Sequence, residues 1–296
     1  MKPYHPLNQS LFYKITTRRK LAAVFGMTEA ALQTVLAMPV PFSSRQIEVI
    51  RNGTIKVRHV QEPRGPLRPI HTRTRKLLSR IEPPEFLFCP VKGRSYVCNA
   101  AVHIGAKKIR TLDVANYFPS TPSHRVFWFF NTAMHCNTDV ASILAKLLTA
   151  NGSLATGSTV SPILSFYAFR DMWLAIADLA YKADCKFSVY MDDVTVSGDR
   201  VPDSLMWAIR QQVHSRGLKY HKERHYRDGI AEITGVIVRD EMTVLPNRQR
   251  KKVHDLRTAL RDTSDVDEAM VIQRRIFGMK TQQKQVELPN KSSDLP

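Results

Sequence analysis

The chain has 296 residues, of which 43% are hydrophobic and 24% charged. This is enough apolar chain for one large domain or two modest ones, and it excludes a disordered polymer. Lysine and arginine number 44 against 26 aspartate and glutamate residues, so the formal net charge is +18. An excess of this size favours a polyanionic partner, most often nucleic acid and less often an anionic membrane surface.

The first residues and the spacing of the cysteines are typical of a cytoplasmic protein. No apolar run is long enough for a membrane span, and the first ten residues lack the apolar centre of a signal peptide, so we expect a cytoplasmic protein with no membrane partner. The four cysteines lie far apart without a CxxC pair: Cys89, Cys98, Cys136 and Cys185. This spacing predicts reduced, partly buried thiols and no disulfide or zinc site.

Predicted elements can be placed along the chain. Positive charge is concentrated between residues 45 and 80, where we expect part of a phosphate-binding groove. Residues 107–113 are predicted to form a strand that ends at an aspartate, and a helix is predicted to begin near residue 124. Ser161 followed by Pro162 is typical of a helix start, with the serine as the cap, and this helix is expected to continue to about residue 182.

The second half of the chain contains a predicted hairpin and two predicted helices. Residues 186–198 have the pattern of a β-hairpin that turns at the acidic pair. A basic helix is expected near residues 248–261, since Val253, Leu256 and Leu260 fall on one face. A further helix is predicted over 264–277, ending at Gly278, before a disordered tail over 281–296. The mixture predicts an α+β fold in one continuous multi-lobed domain.

Three aspartates stand out because they lie in β-prone sequence. Asp192 and Asp193 repel each other beside apolar strands and need either solvent or a cation to stay ionised, so an exposed turn is one interpretation. Asp113 lies at the end of the predicted strand that precedes this pair in the sequence. An aspartate at a strand end is often only a cap or turn residue, which is the alternative interpretation of Asp113. If the two strands are neighbours in one sheet, Asp113 and Asp192 converge. Oxygen ligands of this kind suit Mg²⁺ or Mn²⁺, and two such ions perform nucleotidyl transfer.

Three motifs resemble those of reverse transcriptases. Residues 190–193 (YMDD) resemble the YxDD box, and residues 112–120 (LDVANYFPS) resemble the catalytic motif that precedes it. Residues 157–165 (GSTVSPILS) resemble the motif between them, and the order and spacing are those of the family. Residues 99–103 (NAAVH) and 233–235 (ITG) resemble the NAxxH and VTG signatures of bacterial retron reverse transcriptases. The resemblance covers about residues 50 to 280.

The resemblance implies a right-hand polymerase fold with an antiparallel palm sheet. The N-terminal region and fingers would occupy residues 1–105, the palm with interleaved fingers elements 106–240, and a helical thumb 241–280. Asp113, Asp192 and Asp193 would be catalytic and, with the carbonyl of Val114, would hold two Mg²⁺ ions, with Mn²⁺ as an alternative. The implied nucleotide-binding residues are Arg68, Phe118, Thr156, Gly157 and Tyr190. The implied RNA-binding residues are Asn99, His103, Thr234, Gly235, Arg248, Arg250, Lys251 and Lys252.

Several positions depart from the family or leave alternatives open. Thr156 stands where the family usually has glutamine, Phe166 where it has asparagine, and Asn116 where it has a second acid. Either Lys222 or Arg224 could represent the family's lysine near the pyrophosphate. Phe118 could be an ordinary core aromatic, and His103 a structural histidine. His221 and His225 have zinc-helix spacing, but no third ligand accompanies them.

The resemblance implies a retron-type enzyme that copies a structured non-coding RNA into msDNA from dNTPs, primed from a guanosine 2′-OH. It also implies an effector protein in antiphage defence and a host RNase H, both of which the chain length leads us to expect as separate chains. Two alternatives remain open at this point. One is another bacterial reverse transcriptase, of the abortive-infection or intron-derived type, and the other is a catalytically weak RNA-binding scaffold.

Overall fold

The described residues combine helices and strands, with helices alone at the end, as the α+β prediction required. A computed structural model describes residues 3–39, 41–51, 54–239 and 241–287. The helices are α1 Arg18–Phe25, α2 Glu29–Leu36, α3 Leu67–Leu78, α4 Tyr96–Ala101, α5 Ser123–Trp128, α6 Thr138–Leu148, α7 Ser161–Ala168, α8 Arg170–Lys182, α9 Asp203–Ser215, α10 Asn247–Asp262 and α11 Val266–Glu287. The strands are β1 Phe42–Arg51, β2 Thr54–Pro63, β3 Leu87–Cys89, β4 Lys108–Val114, β5 Lys186–Tyr190, β6 Asp193–Gly198, β7 Tyr220–Tyr226, β8 Ala231–Ile233, β9 Val236–Arg239 and β10 Met242–Val244.

The chain, predicted to form one continuous multi-lobed domain, divides into two compact units. The first unit comprises Met1–Glu85, Val114–Ala177 and Ile209–Tyr220, and the second Phe86–Asp113, Asp178–Ala208 and His221–Pro296. Each unit is therefore built from three separate segments. A single sequence without linker composition gives no signal for such an arrangement, because the boundaries fall inside regular elements such as α8 and α9.

The first unit is mainly helical and carries one long hairpin. Strands β1 and β2 pair antiparallel from Phe42 opposite Pro63 to Arg51 opposite Thr54. The core of this unit is aromatic: Trp173 is fully buried and its indole N–H donates to the Tyr117 hydroxyl at 3.0 Å. That hydroxyl in turn donates to the carbonyl of Ser165 at 3.0 Å. Buried polar groups of large aromatic residues thus find partners, as they must in an apolar core.

The second unit contains most of the sheet structure. Five strands form one sheet in the order β3-β5-β6-β4-β7, and a separate three-stranded sheet has the order β10-β9-β8. Strand β6 pairs antiparallel with both β5 and β4. An apolar cluster that includes Ala100, Ile109, Val236 and Val286 links α4, β4, β9 and the end of α11. Because β6 lies between β5 and β4, its first residue pairs with one residue of each of these strands.

Two helix predictions were wrong in detail. The helix expected from Ser161 to about residue 182 is two helices, α7 and α8, separated at Phe169. Ser161 is not its cap: the cap position is Val160, and the Ser161 hydroxyl donates to the carbonyl of Ala155 at 2.6 Å. Helix α11 does not end at Gly278 but continues to Glu287, so residues 281–287 of the expected tail are helical. The rest of that tail lies outside the described residues.

Arg125 accounts for the separation of α7 from α8. Its Nε donates to the carbonyl of Ala168 at 2.8 Å, a carbonyl that a continuous helix would pair with the backbone N–H of residue 172. Its guanidinium also forms an ion pair with Asp171 in the first turn of α8. The same group lies 4.3 Å from the ring centroid of Trp128. The break is therefore stabilised by a side chain that lies far from it in the sequence.

Helix length and the surroundings of the cysteines can also be compared with the sequence. Within the part of the chain that the structure describes, no helix is both long and apolar enough to cross a membrane. All four cysteines are free, with Cys136 and Cys185 buried and Cys89 and Cys98 half-buried. The prediction that the thiols are partly buried is confirmed.

Candidate active site

The acidic hairpin of the second unit forms as predicted, with its turn displaced by one residue. Strand β5 ends at Tyr190, β6 begins at Asp193, and these two residues face each other, so Met191 and Asp192 form the turn. Met191 has a φ of 63°, a left-handed conformation that side chains other than glycine adopt at an energetic cost. The tip therefore presents Asp192 in the turn and Asp193 at the start of a strand.

Strand β4 brings the third aspartate to this tip. Asp113 lies directly opposite Asp193 in the antiparallel pairing of β4 with β6. Opposed Cα atoms in such pairs lie about 4.5 to 5.5 Å apart, and successive Cα atoms 3.8 Å apart, so Asp192 lies within about 9 Å of Asp113. The expected meeting of these residues on one sheet is thus present, although Asp193 is the residue that faces Asp113.

Electrostatic repulsion links the three carboxylates. Burial, followed by the negative charges of Asp192 and Asp113, raises the pKa of Asp193 to about 7. The guanidinium of Arg224 on β7 acts in the opposite direction. Arg224, one of the two cations left open by the sequence, therefore acts on the carboxylate of Asp193.

The donor set suits a hard divalent cation. The three neighbouring carboxylates supply only oxygen ligands, which Mg²⁺ and Mn²⁺ prefer, and a bound cation would relieve the repulsion felt by Asp193. Across the described residues, no group of three or more His, Cys, Asp or Glu side chains is already arranged closely enough to hold a metal ion. The chemistry of the donors fits the ion, while the side chains as placed do not form a complete ligand set.

Tyr190 has a partner that the sequence did not indicate. Cys89 on β3 pairs with Tyr190 on the parallel neighbour β5, and their side chains are hydrogen-bonded. Burial, followed by the nearby Cys89, raises the pKa of the Tyr190 phenol. Burial likewise raises the pKa of the Cys89 thiol, which stays protonated at neutral pH. The thiol therefore supports the tyrosine that precedes the acidic turn.

The other nucleotide-binding candidates lie in the first unit. Arg68 is in α3 and its Nε donates to the carbonyl of Pro63 at 3.0 Å. Phe118 is half-buried, and its ring centroid lies 6.1 Å from that of Tyr117. Thr156 and Gly157 lie in the segment before α7, where both bond to β2. Their roles toward a nucleotide remain predictions.

Asn99 and His103, both predicted to take part in RNA binding, lie in the core, and that role stays a prediction. Both are 0% exposed, so neither side chain can touch RNA in this structure. The two ring nitrogens of His103 bond to the hydroxyls of Ser188 and Ser197, each at 2.7 Å, and so join β5 to β6. Burial lowers the pKa of His103 to about 3. These surroundings support the alternative that His103 is a structural histidine.

The VTG-like residues form a tight turn. Thr234 and Gly235 connect β8 to β9 with φ values of 47° and 84°, and Ile233 faces Val236 across the turn. Positive φ at both central residues is the geometry of a type I′ hairpin turn. The Thr234 hydroxyl donates to the carbonyl of Tyr96 at 3.1 Å, which ties the turn to α4.

The four basic candidates at the start of α10 fall into two pairs. Arg248 binds Glu232 through two N–H groups, and Arg250 binds Glu287 at 2.9 Å. In the described part of the chain, Lys251 and Lys252 form no ion pair and are exposed. The two lysines are therefore the cations that remain available to phosphate groups.

Comparisons with known proteins agree with the motifs. No protein-family model matches the chain. The chain is 27% identical over 181 residues to the retron Se72 reverse transcriptase of Salmonella heidelberg, covering 61% of this chain and 48% of that protein. It is 25% identical over 179 residues to the retron Ec86 reverse transcriptase of Escherichia coli, covering 60% and 51%. It is 27% identical over 214 residues to the retron Mx65 reverse transcriptase of Myxococcus xanthus, covering 64% and 49%.

The chain thus spans about half the length of the curated relatives it matches. The mixed α and β structure is compatible with a reverse transcriptase fold. Together with the order of the three motifs, these similarities identify the chain as a relative of the retron reverse transcriptases.

Proposed function

We propose that the chain is an RNA-directed DNA polymerase of the retron type. The observation that supports this proposal is the register of β4 with β6, which sets Asp113 opposite Asp193 and beside the turn that holds Asp192. Asp192 and Asp193 belong to the YMDD hairpin, and the chain that carries this hairpin is related to retron reverse transcriptases. In our proposal, the five-stranded sheet corresponds to the palm, the hairpin of β1 and β2 to part of the fingers, and α10 with α11 to the thumb.

In this proposal Asp113, Asp192 and Asp193 hold two divalent cations with help from the carbonyl of Val114. When bound, these ions would supply the positive charge that activates an attacking hydroxyl and stabilises the leaving pyrophosphate of a dNTP. Arg224, whose charge acts on Asp193, is the residue we assign to the phosphates of that leaving group.

The proposed template is a structured non-coding RNA, and the proposed product is msDNA primed from a guanosine 2′-OH. The formal charge of +18 supports binding to such a polyanion. We also propose a separately encoded effector protein, host RNase H as the nuclease that trims the template, and a role in antiphage defence. These finer assignments rest on the family resemblance.

The test is to purify the chain with its co-expressed nucleic acid, digest with RNase, and look for a discrete short DNA. We expect such a DNA from the unaltered chain, and at least about a hundredfold less from Asp192→Asn and Asp113→Asn, because each change removes a charged oxygen ligand from the proposed ion site. Asp199→Asn is the matched control, since Asp199 is exposed and its ion pair with Lys107 is long, at 3.5 Å.

Each other outcome has a distinct meaning. RNA alone, unchanged by Asp192→Asn, would show an RNA-binding scaffold and contradict the proposed activity. DNA without any relation in sequence to the bound RNA would contradict retron-type copying and favour the abortive-infection type. Equal loss from Asp199→Asn would show that the preparation responds to any change of charge, which would remove the support for the acidic tip.

A further inference from the structure

The segment that precedes α7 is hydrogen-bonded to the exposed hairpin of the first unit, and one hydroxyl group makes two of these bonds. The Thr156 Oγ1 accepts from the backbone N–H of Gln61 at 3.3 Å and donates to the carbonyl of His59 at 2.9 Å. Both partners belong to β2. A threonine hydroxyl has a single proton, so this donation leaves Thr156 with no donor for a phosphate or a base.

Gly157 allows the segment to approach β2 this closely. Its backbone N–H donates to the carbonyl of Gln61 at 2.9 Å. A Cβ added at Gly157 would lie 2.8 Å from that carbonyl oxygen and 2.6 Å from the Cγ of Glu62. The carbonyl is fixed by the strand backbone, so any side chain here would push β2 away.

Ser158 fixes the other side of the same segment. It is buried and bonds to Nδ1 of the buried His71 at 2.6 Å, while Nε2 of His71 donates to the carbonyl of Leu147 at 2.8 Å. The histidine therefore joins α3 and α6 to the segment. The segment is therefore bonded to α3 and α6 on one side and to β2 on the other.

We infer that Thr156 is a positioning residue that anchors the hairpin of β1 and β2, and not a contact to the incoming nucleotide. The hairpin has exposed cations such as Arg58 on β2, close to the anchored stretch. By anchoring β2, Thr156 would therefore determine where the cations of the hairpin lie along bound nucleic acid. This role in synthesis rests on the proposed function, whereas the anchoring itself does not.

The direct test is limited digestion with trypsin, which cleaves after the basic residues of the hairpin. We expect Thr156→Val, which keeps the shape but removes the hydroxyl, to speed cleavage between residues 45 and 64 by about tenfold, because two hydrogen bonds are lost. Thr156→Ser retains the hydroxyl and should restore protection. Thr34→Val is the control, since that hydroxyl donates only to Ala30 in its own helix, at 3.1 Å.

A second variant guards against misfolding of the first. Gly157→Ala leaves the Thr156 hydroxyl in place but forces β2 outward, so it should also speed cleavage in the hairpin. Hydrogen exchange at the Gln61 amide provides a local measure, with about a tenfold loss of protection expected in Thr156→Val. Unchanged cleavage and unchanged exchange in Thr156→Val would overturn the inference.

Kinetics distinguish anchoring from nucleotide contact. If Thr156 anchors the hairpin, Thr156→Val loses DNA synthesis together with protection from trypsin, and Thr156→Ser recovers both. A raised KM for dNTP with unchanged cleavage would instead show a nucleotide contact and overturn the inference. If even the unaltered chain makes no DNA, the proposed function fails, while the cleavage pattern still decides whether Thr156 anchors β2.

Discussion

The three aspartates show what residue patterns can and cannot predict. They were identified from their place in β-prone sequence and from the YMDD and LDVANYFPS motifs, and Asp113 and Asp192 were expected to meet if their strands were neighbours in one sheet. The register was not predicted, because the turn was expected at Asp192 and Asp193 but lies at Met191 and Asp192. A methionine is not a residue that signals a positive φ, so nothing in its type revealed that the turn begins there. One position of displacement made Asp193 the partner of Asp113.

His103 is the residue whose surroundings most change its interpretation. A serine at 188 and another at 197 are ordinary strand residues in the sequence, and only the pairing of β5 with β6 brings both hydroxyls to one ring. His103 therefore joins two strands in the core of this chain, a structural role that the sequence could state only as an alternative.

This burial predicts a pH dependence of stability. The pKa of His103 is about 3 in the folded state and about 6.5 when unfolded, so the unfolded state binds the proton more tightly. The contribution of the neutral His103 ring to the free energy of unfolding is fully present above about pH 6.5. It falls as the pH drops toward 3, by up to about 1.4 kcal/mol per pH unit. Lys186 is the charged neighbour that further disfavours the protonated ring.

Urea unfolding at pH 7 and pH 4.5 measures this effect. We expect His103→Gln, which keeps hydrogen-bonding capacity without a titrating ring, to lose about 2 to 3 kcal/mol less than the unaltered chain between these two pH values. His5→Gln is the control, because the His5 ring makes only a solvent-exposed hydrogen bond, to the carbonyl of Pro6 near the N-terminus. An equal loss in His103→Gln and the unaltered chain would contradict the assignment.

The separation of α7 from α8 shows why element boundaries escape sequence patterns. Residues 161–182 have continuous apolar periodicity with no glycine or internal proline, so one helix was predicted. Arg125 interrupts it by taking the carbonyl of Ala168 and pairing with Asp171, and Arg216 binds the same carboxylate at 3.0 Å. A distant side chain thus overrides local helix propensity.

Arg125→Met is expected to destabilise the first unit by about 2 to 3 kcal/mol, because it leaves a buried carbonyl unpaired and removes one of two cations from Asp171. The free energy of unfolding from urea titration measures this loss. Arg18→Gln, which removes a more exposed and longer ion pair with Asp139 at 3.5 Å, should cost under about 1 kcal/mol. Comparable losses in the two variants would show that Arg125 does not stabilise the break.

The net charge of the whole molecule predicts salt-sensitive RNA binding. Each phosphate neutralised by a lysine contributes about 0.7 to 0.9 to the slope of log affinity against log salt. We expect Lys251→Gln with Lys252→Gln to lower that slope by about 1.5, measured by fluorescence anisotropy with a structured RNA. Arg248→Gln with Arg250→Gln should lower it less, because both arginines are already paired with glutamates. A larger effect from the arginines would contradict this division.

The pairing of β4 with β6 has a consequence for how the protein is made. Asp113 emerges from the ribosome well before Asp193, and α5, α6, α7 and α8 lie between them in the chain. Closing so long a loop costs entropy that is recovered only when the second strand docks. Nascent chains stopped before the hairpin would hold one of the three aspartates, so co-translational assembly of the acidic tip must wait for the hairpin to be synthesised.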